Sequence, residues 1–408
     1  MVHSIKLQSD TLKQMLIYII VCVCIFTTYP YVFTQFLPIP SVKVMGIIDI
    51  FIICSFLLYI GKVQQLPRNF NFIVGFQSLC WILFFLIHHD TIYFTRLFLI
   101  IASYLALLLL YNSRGGIVEF AKFYNNIIFW MAAGGTISFF LVLIFNFQPI
   151  LEFENADTRM VGLYGLTCTN VHYGRFIRYA GFFDEPGAMA TWGMYALIIN
   201  RLFINDMRYE NRLILLLTFT FSMSYYIQLL LFFVFFRLKS FKSIIITIFT
   251  ILMISLILYN TRNTEYEQFY KLTFERFEFD QSSGKFNGDN RSGLAEMAKK
   301  EFIKSPLVGE GPTKIDNIGY MGDNPYMNLA TDGIIGTIVM YFPIISILLL
   351  RRQKMFLYAI IILMIGYMQR PIHPLFIHSF ILYMFTILAI NKTDGQRLNL
   401  IHYVKNIN

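Results

Sequence analysis

Two cations, two carboxylates, two glycines and a proline crowd into one run, Arg175-Phe-Ile-Arg178-Tyr-Ala-Gly181-Phe-Phe-Asp184-Glu185-Pro186-Gly187. Guanidinium groups hold phosphate through paired hydrogen bonds and keep their charge at any physiological pH. Asp184 before Glu185-Pro186 reads as a helix start, because Asp caps and Pro fits the first turn. A helix N-terminus beside Arg175 and Arg178 is then an anion site suited to a pyrophosphate. Gly181 and Gly187 bracket the turn and allow close backbone approach.

A second group lies further along the chain. Arg291 starts a segment in which Leu294, Ala298 and Phe302 recur at helical spacing, so 291–304 reads as an amphipathic helix. Pro306, Gly309 and Gly311 end it in a tight turn. Asn324-Pro325 repeats the cap-plus-proline start, followed by Tyr326, and it opens an apolar helix. Asn328 and Asp332 share one face of that helix at i, i+4, toward either a substrate or a polar neighbour. In Gln369-Arg370-Pro-Ile-His373-Pro, Arg370 could complete the anion site, and His373 is a base or an interfacial histidine. Arg96 is a reserve cation, and His88-His89-Asp90 reads as an ordinary turn. The chain has no glycine-rich phosphate loop with lysine, no Asp-x-Asp pair in the outer loops and no Cys/His cluster, which argues against ATP, metal or another cofactor.

Both groups must be held by membrane helices. The 408 residues are 57% hydrophobic and 14% charged, with mean hydropathy +0.59, far below the charge of a soluble domain. The net charge of +9 falls mostly in short loops between apolar runs, which discounts nucleic acid. Cys22, Cys24, Cys54 and Cys80 lie in apolar runs and Cys168 is alone in a polar loop, so no disulfide or metal spacing is expected. The first apolar run lacks a cleavage site and reads as a retained signal anchor.

Spans of bilayer length fall near Leu16–Val32, Met45–Ile60, Phe70–Ile87, Ile92–Tyr111, Ile127–Phe147, Ala188–Ile204, Ile244–Tyr259, Tyr326–Leu350, Met355–Met368 and Leu375–Ile390. Within Leu213–Phe236 the polar cluster Ser222–Gln228 predicts a hairpin of two short helices, since irregular backbone at membrane depth needs protein or water beside it. Lys/Arg counting then gives an all-α polytopic protein of about 12 segments, both termini inside. Residues 1–408 form one membrane domain, with two long outer loops at 148–187 and 260–324.

The second half of the chain resembles the bacterial O-antigen polymerases and, more broadly, the O-antigen polymerase/ligase superfamily. Arg178-Tyr-Ala-Gly181-Phe-Phe-Asp-Glu185-Pro186-Gly187 is similar to that superfamily's first-loop motif before a transmembrane helix. Arg291 with Phe302, Pro306-Leu307, Gly309 and Gly311 is similar to its second-loop motif, and Asp323-Asn324-Pro325-Tyr326 through Gly333 to the segment that opens with His-Asn in many ligases. Asp323 replaces that His and the spacing to Gly333 is one residue short, so the likeness to polymerases is closer.

The resemblance implies a GT-C-like multi-pass protein of the bacterial inner membrane whose active site faces the periplasm. It implies a metal-independent glycosyltransferase that moves a glycan from undecaprenyl pyrophosphate to the non-reducing end of another lipid-linked repeat unit. A ligase or capsule polymerase of the same superfamily is the alternative, and a lipid-linked oligosaccharide flippase the alternative of another class. Arg178 and Arg291, assisted by Arg175 or Arg370, would hold the pyrophosphate. Glu185, then Asp332, would take the acceptor's proton, and Asn324 and Tyr326 would position sugar or phosphate. The implied partners are the lipid-linked oligosaccharide, the bilayer, a chain-length regulator and a flippase.

Overall fold

The computed structural model describes residues 2–27, 42–154, 159–183, 185–238, 245, 256, 259–264, 266–281, 284–287, 292–319, 322, 324–369 and 376–392. The protein is mostly helical, with helices α1 (Val2–Thr27), α2 (Val42–Ile60), α3 (Arg68–His88), α4 (Ile92–Tyr111) and α5 (Gly116–Phe145) leading the chain. After the first long loop come α6 (Pro186–Ile199, extended by a π turn over Asn200–Ile204), α7 (Met207–Thr218) and α8 (Met223–Phe232, extended by a π turn over Phe233–Arg237). The second long loop carries α9 (Glu267–Thr273), α10 (Ser292–Lys304) and α11 (Pro312–Ile318), and the chain closes with α12 (Met327–Leu350), α13 (Lys354–Gln369) and α14 (Phe376–Asn391). Among the described residues, α3, α4, α5 and α12 are long and apolar enough to cross a bilayer, and several shorter helices are also apolar. The chain is a helical membrane protein.

Element limits follow the apolar runs except at α1, which begins at Val2 rather than Leu16, at α5, and in the loops. Helix α5 begins at Gly116, well before Ile127, because Glu119 and Lys122 pair at 2.7 Å and give the first turns a polar face. The 148–187 loop is not plain coil. Strands β1 (Leu151–Glu154), β2 (Met160–Leu163) and β3 (Cys168–Thr169) form a small antiparallel sheet, and β4 (His172–Tyr173) pairs with β5 (Phe176–Ile177). In the second loop β6 (Phe279–Asp280) pairs with β7 (Lys285–Phe286). The all-α expectation therefore holds for the bundle and not for the loops. Helix α6 is the central post, buried at every position from Ala188 to Ile199. Most of the 244–259 span lies outside the described residues.

Helices α7 and α8 form the expected hairpin. Arg237, at the end of α8, donates from Nε to Glu210 Oε1 at 2.6 Å and from Nη1 to Asn211 Oδ1 at 2.8 Å, so α8 ends where α7 begins. Arg201 adds a second cation, 3.7 Å from the fully buried Glu210. The break between the helices, at Phe219–Ser222, strands the last carbonyls of α7 away from bulk water. Each finds a donor. Tyr225 donates to Ile214 O at 3.0 Å, Tyr179 to Leu216 O at 2.8 Å, Tyr226 to Thr218 O at 2.7 Å, and Arg178 Nε to Thr220 O at 3.1 Å. The polar residues that mark the hairpin in the sequence are in part its backbone caps.

The hairpin tip joins both loops. Phe221 at the tip, Phe176 of the first loop and Phe269 of the second pack around Phe139 of α5. The Phe176 and Phe269 ring centroids are 4.9 Å apart, and Phe221 lies 5.7 Å from Phe269. Replacing Arg237 by Met leaves Glu210 with only its longer contact to Arg201. The expected loss of stability is about 3 kcal/mol, read as a lower unfolding temperature in detergent.

Candidate functional site

In the first loop, backbone pairing fixes the run that carries Arg178. Cys168 N donates to Gly181 O at 2.6 Å, Ala180 N to Cys168 O at 2.9 Å and Arg178 N to Val171 O at 3.2 Å. Thr169 Oγ1 donates to Arg178 O, and Thr167 Oγ1 to Gly181 O at 3.1 Å. Gly181 needs its freedom: its φ is +63°, and an added Cβ would press on Met131 and Met189 at 3.1 Å. Cys168 is buried inside this bracket, and burial pushes its thiol up to about 12, so it is inert rather than reactive.

The guanidinium of Arg178 is thereby half-buried against the carbonyl end of α7, where a cation also complements the helix dipole. Arg175 lies at the turn between β4 and β5 and is exposed. The N-cap of α6 is Glu185 in extended conformation, with Pro186 in the first turn. Asp184, expected in that role, lies outside the described residues. Instead of capping the helix, the Glu185 carboxylate meets Arg159, Nη1 to Oε2 at 3.4 Å.

In the second loop the decisive feature is a break in α12. Gly333 adopts φ +66° and ψ −171°, which interrupts the helix shortly after its start at Met327. The segment 306–311 lies in the gap and pairs with both broken ends. Glu310 N and Gly311 N donate to Ala330 O and Thr331 O, each at 2.9 Å. Ile334 N and Ile335 N donate to Pro306 O and Leu307 O at 2.9 and 3.0 Å. At Gly309 and Gly333 a Cβ would strike the opposing backbone, so both glycines are required by this approach. The turn expected at Pro306–Gly311 is thus a strap that completes a membrane helix.

Asp332 sits at the break and is not an open base. It is fully buried, and its Oδ1 accepts from Arg96 Nη1 at 2.6 Å and from Tyr93 OH at 3.0 Å. Arg96 is 2% exposed and lies over the stacked rings of Trp81 and Tyr93, 4.8 and 5.0 Å from their centroids. The reserve cation is therefore the partner of the second candidate base. Burial of a charge at this depth demands an opposite charge, and each supplies the other's. Asn328 also faces protein, donating to Tyr341 OH at 3.1 Å. Asn324 is buried; its Oδ1 accepts from Tyr326 N at 2.9 Å and its carbonyl from Met327 N at 3.1 Å, which starts the turn into α12 as expected. Tyr326 is half-buried with its ring near Phe302 of α10.

The turn at His88–Asp90, read from sequence as ordinary, docks the second loop. His88 Nε2 donates to Val308 O at 3.0 Å. Asp90 Oδ1 accepts from Ile92 N at 2.9 Å, and its Oδ2 from Thr313 N at 2.7 Å at the start of α11. Burial raises the Asp90 carboxyl, but these backbone donors and Arg96 outweigh it and leave the group below its ordinary value.

The sequence-derived residues thus fall into two described groups. Arg175, Arg178, Gly181 and Glu185 surround the first-loop bracket, and Asn324, Tyr326 and Asp332 gather at the start of α12. Arg291, Arg370 and His373 lie outside the described residues. A run of aromatic contacts links the helices that the groups open: Trp192 stacks on His378 at 4.7 Å, Tyr195 meets Tyr367 at 5.9 Å, and Tyr367 meets Tyr341 at 4.8 Å. Beside this run is a cavity of about 20 Å³ lined by Gln77, Trp81, Tyr341, Tyr367, His378 and Tyr383, enough for one water. Sequence reasoning missed Arg159, Thr169, Tyr179, His88, Asp90 and Tyr93. Only Tyr93 carried a signal, one turn before an intramembrane arginine.

No protein-family model, curated protein or solved structure matches this chain.

Two outcomes follow from this geometry. Gly333→Ala is expected to cost about 3 kcal/mol or more, through strained backbone and collision with Leu307, measured by thermal unfolding in detergent. The Asp90 carboxyl is lower folded than unfolded, so its contribution is present above the ordinary Asp range and lost as pH falls through the folded value. Acidification should expose 306–318 to protease in the parent protein, and Asp90→Asn should be cleaved there already at neutral pH.

Proposed function

We propose that the protein is a polymerase of the O-antigen type: a multi-pass glycosyltransferase of a bacterial inner membrane. It would join lipid-linked repeat units at the outer face of that membrane. The observation that carries this reading is the meeting of both loops at the hairpin tip, where Phe176 and Phe269 pack together and Arg178 is seated on Thr220. The hairpin returns to the side from which it started, which supports a count of 12 segments with both long loops outside. Motif order adds to this, since the three resembling segments fall in the first loop, the second loop and the helix that follows it.

In this reading Arg178, with Arg175 and Arg291, holds the pyrophosphate of the donor and stabilises the charge that develops as it leaves. Glu185 accepts the proton of the attacking sugar hydroxyl, with Arg159 orienting its carboxylate. Asn324 and Tyr326 contribute hydrogen bonds to sugar or phosphate. Asp332 is withdrawn from the proton-transfer role by its pairing with Arg96. The leaving group is already activated in the donor, so neither a nucleotide nor a metal enters the scheme.

Arg178→Ala and Glu185→Gln, each at normal expression, are expected to abolish the long-chain ladder and leave single repeat units on the lipid. Tyr179→Phe removes one cap of the same hairpin and should keep the ladder, which separates loss of an anion site from loss of the hairpin. Bare lipid core in the Arg178→Ala strain would point to a ligase, and an unchanged ladder would reject the site.

A further inference from the structure

Helix α12 is broken where a continuous helix would satisfy its own backbone, and the strap 306–311 replaces the lost hydrogen bonds. The break sits beside the buried Arg96–Asp332 pair. Asp332 ends the first segment of the helix, directly before Gly333. Its carboxylate is tied to α4 by two donors, Arg96 and Tyr93, so the first segment of α12 is anchored to α4. Without that anchor, nothing in this pairing holds the first segment at the offset that leaves room for the strap. Two side chains at the end of α3 and in the turn after it hold the strap and the start of α11: His88 on Val308, and Asp90 on Thr313.

We infer that Arg96 and Asp332, with Tyr93, are positioning residues: their ion pair holds α12 open at Gly333 so that the strap can enter and set the second loop over the bundle. The segments fixed in this way are the Asn324–Tyr326 turn at the start of α12 and α10, which runs into the strap through Ser305 and packs on Tyr326 through Phe302. The role of these segments in glycan transfer rests on the function proposed above, whereas the docking of the strap does not. A buried ion pair contributes little net stability compared with apolar residues of similar size, and its clearest use is to select one arrangement over others. Here the alternative arrangement is a straight α12 with an undocked strap.

Hydrogen exchange of the purified full chain in lipid nanodiscs tests this. In the parent protein the amides of Glu310, Gly311, Ile334 and Ile335 should be protected together. In Asp332→Asn they should exchange about a hundredfold faster, the ratio that corresponds to losing one partner of a buried charge pair. Amides within α6 should stay slow. If that variant fails to fold, the double variant Arg96→Met/Asp332→Met replaces the pair with apolar side chains and keeps the bundle. Its strap amides should still be faster than the parent's. Parent-like strap protection in a variant whose α6 remains protected would overturn the inference. Loosened strap amides with an unchanged polysaccharide ladder would uphold the positioning role and reject the second loop's part in transfer.

Discussion

A peptide group that leaves its helix inside a bilayer must find a partner within the protein, because an unpaired amide or carbonyl away from water costs several kcal/mol. The architecture depends on how this constraint is met at two breaks. At the first, between α7 and α8, side chains supply the donors, and one of them is Arg178 from a distant loop. At the second, in α12 at Gly333, a strap of backbone supplies both donors and acceptors. At the second break every partner comes from a long loop, and at the first two of the four named donors, Arg178 and Tyr179, do. The breaks therefore do more than bend helices; they bind the loops to the bundle.

The charges at depth obey the same rule. Glu210 is held by Arg237 and Arg201, and Asp332 by Arg96 and Tyr93. The Asp332 pair sits at the gap in α12, and the Glu210 cluster ties the open end of the hairpin, away from its break. Arg175, Arg159 and Glu185 remain at the loop surface, where charge is better solvated and a charged ligand can reach. This division, with paired charge below and solvated charge above, gives the first-loop group its candidate role and removes Asp332 and Arg96 from it.

Much of the bundle was legible in the sequence because apolar length alone sets a membrane span. The start of α6 at Pro186 and the end of α12 at Leu350 follow from it. The α7–α8 hairpin was legible from polar residues at an apolar depth, although Tyr225 and Tyr226 turn out to satisfy backbone. What could not be read was long-range pairing. Nothing local in Gly309 or Gly333 shows that the two backbones touch, and nothing near Asp90 points to Thr313. Arg96 and Asp332 were each visible as costly residues at membrane depth, but they are 236 positions apart. Their meeting is a property of the fold. The loop strands were missed because two-residue pairings such as β4–β5 leave no alternating pattern to detect.

The central claim is that the hairpin brings both long loops to one membrane face, where Phe176 and Phe269 meet. In a background with the five native cysteines replaced, Phe176→Cys and Phe269→Cys can be combined in one chain within intact membranes. Treatment with a short bifunctional thiol crosslinker is expected to join the loops, giving one product after protease cleavage between the two positions. Absence of the crosslink, with each cysteine reached by impermeant reagent only from opposite faces, would contradict the account.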